Sequence, residues 1–398
     1  MTTPFPPTFP TLGVPNDEVI DALISGIVKI NRRVEIYNAD GVTPFDITAW
    51  DKRLVDGAIS VDRERDERRI AEFTLENSDN LLELNPLGGF YYDKVLRAYW
   101  GIEYWFNGER RSWETPVGEF LIDRIAEDNF PDVVQVSCRD FTKKCLVSKL
   151  SQSMAFPIGT PIETIIGALA ANAGVEKFAL PYTGMSYNRD VSFARGTPRW
   201  EVMKEIAASV SLEVFFRRDG YLTMGDLPDP TNTPISWVFK SGIDGSLVRY
   251  KRTANDSRIF NHIIVVGTAG ETNGIASTIF GEAINDDLGS PTSRPNLRQD
   301  RVDSIESDLF MTNPDAQNYA DARLRIGSLE TYEVSFEGVI IPWLEAGDIV
   351  DVHDGTELET TARRFLLGNY SLPMKLGPMS GVGRRVLITG TNEELGYQ

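Results

Sequence analysis

The stretch VDGAISVDRERDERRIAEFTLEN, residues 55–77, places Ala71, Phe73 and Leu75 at alternate positions between polar residues. A period of two with apolar residues on one side marks a strand with one buried face. The alternation continues outward in both directions, through Val34 and Ile36 upstream and through Phe120, Ile122, Val134, Val136 and Cys138 downstream. Asn107-Gly108 separates the aromatic segment Tyr99 to Phe106 from a second one reaching Trp113, and Asn-Gly between two such runs is the strongest short hairpin signal. Residues 27–150 are therefore expected to form a β-rich domain closed by a short helix, Phe141 to Leu150. Ahead of it, Pro4, Pro6, Pro7, Pro10 and Pro15 forbid a regular helix or central strand, so residues 1–26 read as a Pro-rich N-terminal arm.

Downstream the periodicity changes. Thr160-Pro161-Ile162-Glu163 has the form of a capping box with proline at the first helical position, and Ile162, Ile165, Ile166, Leu169 and Ala173 follow on one helix face. A second helix opens at Thr197-Pro198, carries Trp200, Met203, Ile206, Ala207 and Val210, and runs into a hairpin turning at Asp219-Gly220. Residues 151–240 thus read as a small α+β domain of two helices and a hairpin. In 241–328 a buried strand (258–266) precedes a Gly-, Asn-, Asp-, Ser- and Pro-rich stretch, 269–310, expected to be a long loop excursion that is mobile in the free subunit. Asn313-Pro314 then opens a helix bearing Ala316, Tyr319, Ala320 and Leu324, with Gly327 placed to end it. A second β-rich domain is expected over 329–398, with Tyr332, Val334 and Phe336 on one face and a hairpin at Asp354-Gly355. The order is β, α+β, β, with no internal repeat in the sequence.

A chain of 398 residues exceeds the ~250–300 residues of one compact core, so several domains are expected. Its net charge of −18 opposes any role in holding nucleic acid, because that affinity rests on Lys and Arg contacts to phosphates. No apolar run approaches the ~18–20 residues of a membrane helix and the start lacks a secretion signal, so neither a membrane anchor nor export is expected. The two cysteines, Cys138 and Cys145, read as small buried hydrophobes.

The search for chemistry is mostly negative. With only His262 and His353 there is no HExxH pair or His-rich metal cluster, His262 reading as a core or interface residue and His353 as exposed before a turn. The Gly-rich phosphate loops and the GxSxG elbow are missing. Glu114, Glu119 and Asp123 flank Gly118 near Trp105 and Trp113, where paired acids beside aromatics can hydrolyse a glycosidic bond; a solvated acidic face is the plainer reading. Asp348, Asp351 and Asp354 offer oxygen ligands but not the spacing of a calcium loop. No catalytic, cofactor-binding or metal residue is assigned, and no cofactor is expected.

Three motifs in order nevertheless resemble a known family. VDGAISVDRERDERRIAEFTLEN (55–77) followed by PVGEFLIDRI (116–125) looks like the first β-barrel of bacteriophage tail hub proteins, especially those of long-tailed phages of actinobacteria. WEVMKEIAASVSLEVFFRRDGYLTM (200–224) resembles their middle domain, and IPWLEAGDIVDV (341–352) their second barrel. The resemblance implies an α+β, mainly β fold of the phage baseplate hub type, with two β-barrel-like domains around a small α+β domain. It further implies a structural virion protein and not an enzyme: a homotrimeric hub at the tail tip, surrounding the DNA channel and assembled in the host cytoplasm. Its implied partners are the distal tail or tail tube protein, the tape measure protein and other tail tip proteins, and DNA would pass without specific binding. An acidic wall suits that passage, since it repels phosphates over the ~8–10 Å screening length. The rival reading is a carbohydrate-binding or cell-wall-degrading module using the tryptophans and acids of residues 99–123.

Overall fold

The computed structural model describes residues 15–26, 28–46, 53–87, 89–129, 132–229, 232–242, 245–254, 256, 259–272, 275–328, 332–353, 363–375 and 377–386. Part of the expected N-terminal arm is a core-packed helix. In α1 (Asp17–Ser25) the Asn16 side chain accepts from the Val19 N–H at 3.2 Å, and Gly26 ends the helix in the left-handed region at φ 68°. Val19 and Leu23, one turn apart, are buried, and Tyr104 donates to Glu18 at 2.8 Å. The prolines that end at Pro15 obscured this one short amphipathic segment; residues 1–14 lie outside the described residues.

The first β unit contains β1 (Lys29–Tyr37), β2 (Pro44–Asp46), β3 (Leu54–Asp62), β4 (Arg69–Glu76), β5 (Val95–Phe106), β6 (Glu109–Asn129) and β7 (Asp132–Arg139), paired antiparallel in the order β2-β1-β5-β6-β7-β4-β3. The β5–β6 turn falls at Asn107-Gly108, both with positive φ (51° and 82°), as a tight hairpin requires. The helix expected over 141–150 is shorter, α2 (Thr142–Leu146).

The α+β unit holds β8 (Met154–Phe156), α3 (Ile162–Ala171), β9 (Val191–Phe193), α4 (Arg199–Ala208), β10 (Leu212–Phe216) and β11 (Leu222–Asp226). It contains a repeat that the sequence reading missed. Strand β8 pairs with β9, and each leads through a glycine of positive φ (Gly159 82°, Gly196 88°) into Thr-Pro and a helix. In both copies the threonine hydroxyl bonds back three residues, Thr160 to the Pro157 carbonyl and Thr197 to the Ala194 carbonyl, each at 2.7 Å. No capping box forms, because those hydroxyls close the turn and Glu163 instead accepts from Thr183 at 2.8 Å. Buried positions match in size class but not identity, Ile165 with Val202, Ile166 with Met203 and Leu169 with Ile206, so only the short Gly-Thr-Pro recurs in sequence.

After β12 (Ile235–Lys240) and β13 (Leu247–Thr253), the stretch expected as a loop excursion is an ordered sheet and helix. Strands β14 (His262–Thr272) and β15 (Ile275–Ile284) form a hairpin, α5 (Arg294–Leu297) follows, and β16 (Val302–Glu306) adds parallel to β14. Helix α6 (Asn313–Ser328) lies across this sheet through Ala316 and Ala320, both fully buried, and continues past Gly327. The packing is closest at Gly281, where a Cβ would stand 2.4 Å from the Ala316 carbonyl carbon. Within 269–310 this unit's core takes only Ile279, Ala283 and Phe310, set among polar residues, so the stretch reads as a loop.

The second β unit adds β17 (Glu333–Gly338), β18 (Ile349–His353), β19 (Arg364–Pro373) and β20 (Met379–Arg385), in the order β12-β18-β19-β20-β17-β13. The Asp354-Gly355 hairpin lies outside the described residues. Neither β unit closes its ladder among the described residues; instead β19 pairs with β3 from Asn369↔Asp62 to Pro373↔Ala58, merging both into one 13-stranded sheet. Their cores are also continuous, since Trp343 meets Trp113 of β6 and Trp237 of β12 edge to face, with centroids 5.8 and 5.6 Å apart. The fold is thus mainly β, with two β units joined in one sheet and an α+β unit between them in sequence.

Gly281→Ala tests the close packing of α6. It is expected to lower stability by about 1–3 kcal/mol, the usual cost of overpacking, as measured by urea unfolding. Hydrogen exchange should show the loss of protection concentrated in β15 and α6.

Candidate functional site: a buried charged joint

The turn from β3 to β4 is Asp62-Arg63-Glu64-Arg65-Asp66-Glu67-Arg68-Arg69, eight charged residues that an ordinary hairpin would leave in water. Here six of them reach five other parts of the chain. The Asp62 N–H donates to the Arg68 carbonyl at 2.8 Å and shapes the turn. Arg63 and Arg68 hold Glu213 of β10 between them at 2.8 and 2.9 Å, and the Arg68 guanidinium lies 3.7 Å from the centre of the Phe215 ring. Arg69 donates to the Phe216 carbonyl at 3.1 Å and pairs with Glu345, which stands before β18. Asp66 accepts from Trp200 Nε1 at 3.1 Å and Lys204 Nζ at 2.7 Å, both on α4. Glu64 pairs with Arg384 of β20, and Glu67 with Arg139 of β7 at 2.9 Å. From the other side Arg218 donates to the Pro342 carbonyl at 3.2 Å.

Burial sets the electrostatics of this joint. It pulls Arg63 and Arg69 below the ordinary arginine range and brings Arg218 down to about 10. Burial also works to raise Glu213, but Arg68 and Arg63 outweigh it and hold the carboxyl below its usual value. Nearby, burial pushes Asp348 up to about 7 and Asp140 up to about 6. Buried ions tolerate this only with partners at hydrogen-bond distance, so the arrangement fixes which surfaces meet more than it adds net stability. Between the turn, α4 and α6 there remains a cleft of about 520 Å³, walled by Trp200, Tyr319 and Arg323.

The residues singled out in the sequence lie elsewhere and are occupied. Cys138 and Cys145 are buried; burial pushes both thiols up, Cys145 to about 12. His262 is buried between Glu282 on Nε2 (2.9 Å) and Asp300 on Nδ1 (3.0 Å), and His353 ends β18. Glu119 is not on a solvated face. It is 5% exposed and takes Lys177 at 2.7 Å and Arg97 at 3.2 Å, tying β6 to the α+β unit. Glu114 pairs with Arg33 at 2.6 Å, and Asp123 with Arg139 and Lys143 at 2.8 and 3.1 Å. Asp348 accepts from the Glu345 N–H at 2.9 Å, Asp351 is buried within β18, and Asp354 lies outside the described residues. Among the described residues no three His, Cys, Asp or Glu side chains are grouped to hold a metal ion, and no helix is long and apolar enough to cross a membrane. Sequence reasoning missed the joint because interleaved Arg and Glu look alike whether solvated or buried.

Solved structures share this architecture. The tail protein from Neisseria meningitidis MC58 superposes with a TM-score of 0.58 at 12% identity, over 89% of this chain and 96% of that one. The 43 kDa tail protein of prophage MuSo2 from Shewanella oneidensis gives 0.57 at 12% identity, over 89% and 98%. The chain has the fold of a phage tail protein. Prophage tail protein gp18 from Listeria monocytogenes EGD-e has the same fold, at 0.51 and 11% identity over 88% and 94%. No family model matches the sequence, and no curated protein is similar to it in sequence. The likeness to the tail-protein fold therefore rests on architecture alone.

Glu213→Ala would leave Arg63 and Arg68 without their shared partner. Because those side chains keep some exposure (14% for Arg63, 9% for Arg68), a loss of about 3 kcal/mol is expected by chemical denaturation, the lower end for a broken buried pair. A second expectation concerns pH. An unfolded aspartate titrates near ~3.9, whereas folded Asp348 does so at about 7, so between these values the folded state keeps a proton that the unfolded chain has released. The contribution of Asp348 to stability is thus full below pH ~4 and is lost as pH rises towards 7. Asp140 acts in the same direction. Asp348→Asn should flatten this part of the stability profile, measured as denaturation midpoints from pH 4 to 7.5.

Proposed function

We propose that this chain is a structural protein of a phage tail: three copies form a ring at the distal end of the tail, joining the tube to the tip around the DNA channel. The observation that carries the reading is the shared architecture, which spans 88–89% of this chain and 94–98% of three tail proteins. Its partners would be the distal tail or tail tube protein, the tape measure protein and other tip proteins, in a virion assembled in the host cytoplasm.

Two physical features support it. Continuous pairing of β3 with β19 joins two β units in one sheet, so three copies would present six similar units around an axis. Closed cyclic symmetry is the usual way identical subunits make such a ring, with head-to-tail contacts that close at three. The charge of −18 suits a wall past which DNA slides, because acidic residues repel its phosphates. The same reading makes the chain a building block and not a catalyst. The hydrolytic alternative gains no support from Glu114 and Glu119, each of which is neutralised by its own cation.

Reconstruction of intact tails is the test. Three copies around the central axis are expected; one copy, six whole chains, or an off-axis position would refute the ring. Release of sugar or peptide from host cell wall by the purified chain, abolished by Glu119→Gln, would refute the non-enzymatic part.

A further inference from the structure

The loop after β4 exposes three leucines within seven residues, Leu81 (40%), Leu84 (45%) and Leu87 (91%). Such a cluster at the surface of a soluble protein marks a contact surface. The loop is anchored at its N-terminal half: Leu82 is fully buried, its N–H donates to Asn77 Oδ1 at 2.7 Å, and Arg53 donates to Asp79 at 2.6 Å. Three exposed acids border it: Glu83 within it, Glu127, which accepts from the Leu84 N–H at 3.4 Å, and Asp132, whose carbonyl accepts from the Asn77 N–H at 2.9 Å.

A complementary surface lies at the opposite end of β3. Two cross-strand rows of the merged sheet, Ser60-Ser371-Ser380-Glu337-Arg249 and Asp62-Asn369-Val382-Ser335-Lys251, floor a groove of about 580 Å³. Small side chains in the middle of both rows leave its depth, and cations stand at its rim. Arg249 is compensated by Glu337 at 2.5 Å and Arg65 by Asp62 at 3.4 Å, whereas Lys251 has no ion-pair partner among the described residues. In a chain of net charge −18, a rim with a surplus cation selects an acidic partner, and another copy of the chain offers one. From Leu54 to Asp62 strand β3 rises roughly 26 Å at ~3.3 Å per residue, so loop and groove are separate patches that two different neighbours in a ring would meet. That is the geometry of a head-to-tail contact.

Resting on the ring proposed above, we infer that each copy seats its leucine-bearing acidic loop, residues 79–87, in the Lys251-rimmed groove of the next. Leucines fill the trough, the acids face Lys251 and Arg249, and the loop needs less ordering because its N-terminal half is already anchored. The test uses tails assembled with a Leu87→Cys, Lys251→Cys double variant, the native cysteines being buried. Oxidation of purified tails should yield species of two and three linked chains, and neither single variant should yield any. Lys251→Glu should reduce the incorporation of the chain into tails, and adding Glu83→Lys should restore it. Tails with three copies on the axis but no cross-link would overturn this contact while leaving the ring intact. A cross-link from Leu87→Cys alone would replace it with a twofold contact, and tails holding a single copy would refute contact and ring together.

Discussion

Burying an arginine next to apolar groups is costly unless a carboxylate or carbonyl meets it, and this molecule is organised around a turn that buries several at once. Arg63, Arg68 and Arg69 leave one hairpin and find Glu213, the Phe216 carbonyl and Glu345 on segments far away in sequence. These partners lie on β10 of the α+β unit and on the segment before β18 of the second β unit, so the pairing of these charges ties all three units together. The Trp200 and Lys204 contacts to Asp66 extend the same logic to α4. Ion pairs of this kind give little net stability, and what they contribute is the choice of a single assembly of parts.

That choice is reinforced by two apolar and backbone links. Pairing of β3 with β19 continues the hydrogen-bond ladder from one β unit into the other, which satisfies edges that would otherwise be open to other chains. Trp113, Trp343 and Trp237 then fill the space beneath, edge to face, so the two cores are one. A chain with two barrel-like units could have carried them on a flexible linker. Shared ladder, shared core and charged turn together join the two β units directly.

The remaining units show how economy of side chains hides structure. In the α+β unit a strand, a Gly-Thr-Pro turn and a helix occur twice, but packing preserves only the volume of Ile166 and Met203 or of Leu169 and Ile206, not their identity. In the β14–β16 sheet the helix approaches closely at Gly281, and the apolar core beneath it is small: Ile263, Val265, Ile279 and Phe310 with Ala316 and Ala320.

The sequence by itself determined the alternating strands of the first β unit, the Asn107-Gly108 hairpin, the two helices after Thr160 and Thr197, and the β, α+β, β order, because periodicity and turn chemistry are local. It also carried the motifs that resemble tail hub proteins, an architecture the solved tail structures share. Helix α1, the ordered 275–306 segment and the burial of Glu119 were not legible, since each depends on what a distant segment brings: Tyr104 to Glu18, α6 to Gly281, Lys177 to Glu119. The charged turn is the clearest case. Asp62 to Arg69 reads as a solvated surface, and only the tertiary structure buries Arg68 and Arg69 and supplies the turn's partners, because the dielectric around a charge and the residue that neutralises it are set by segments 72 to 320 positions away.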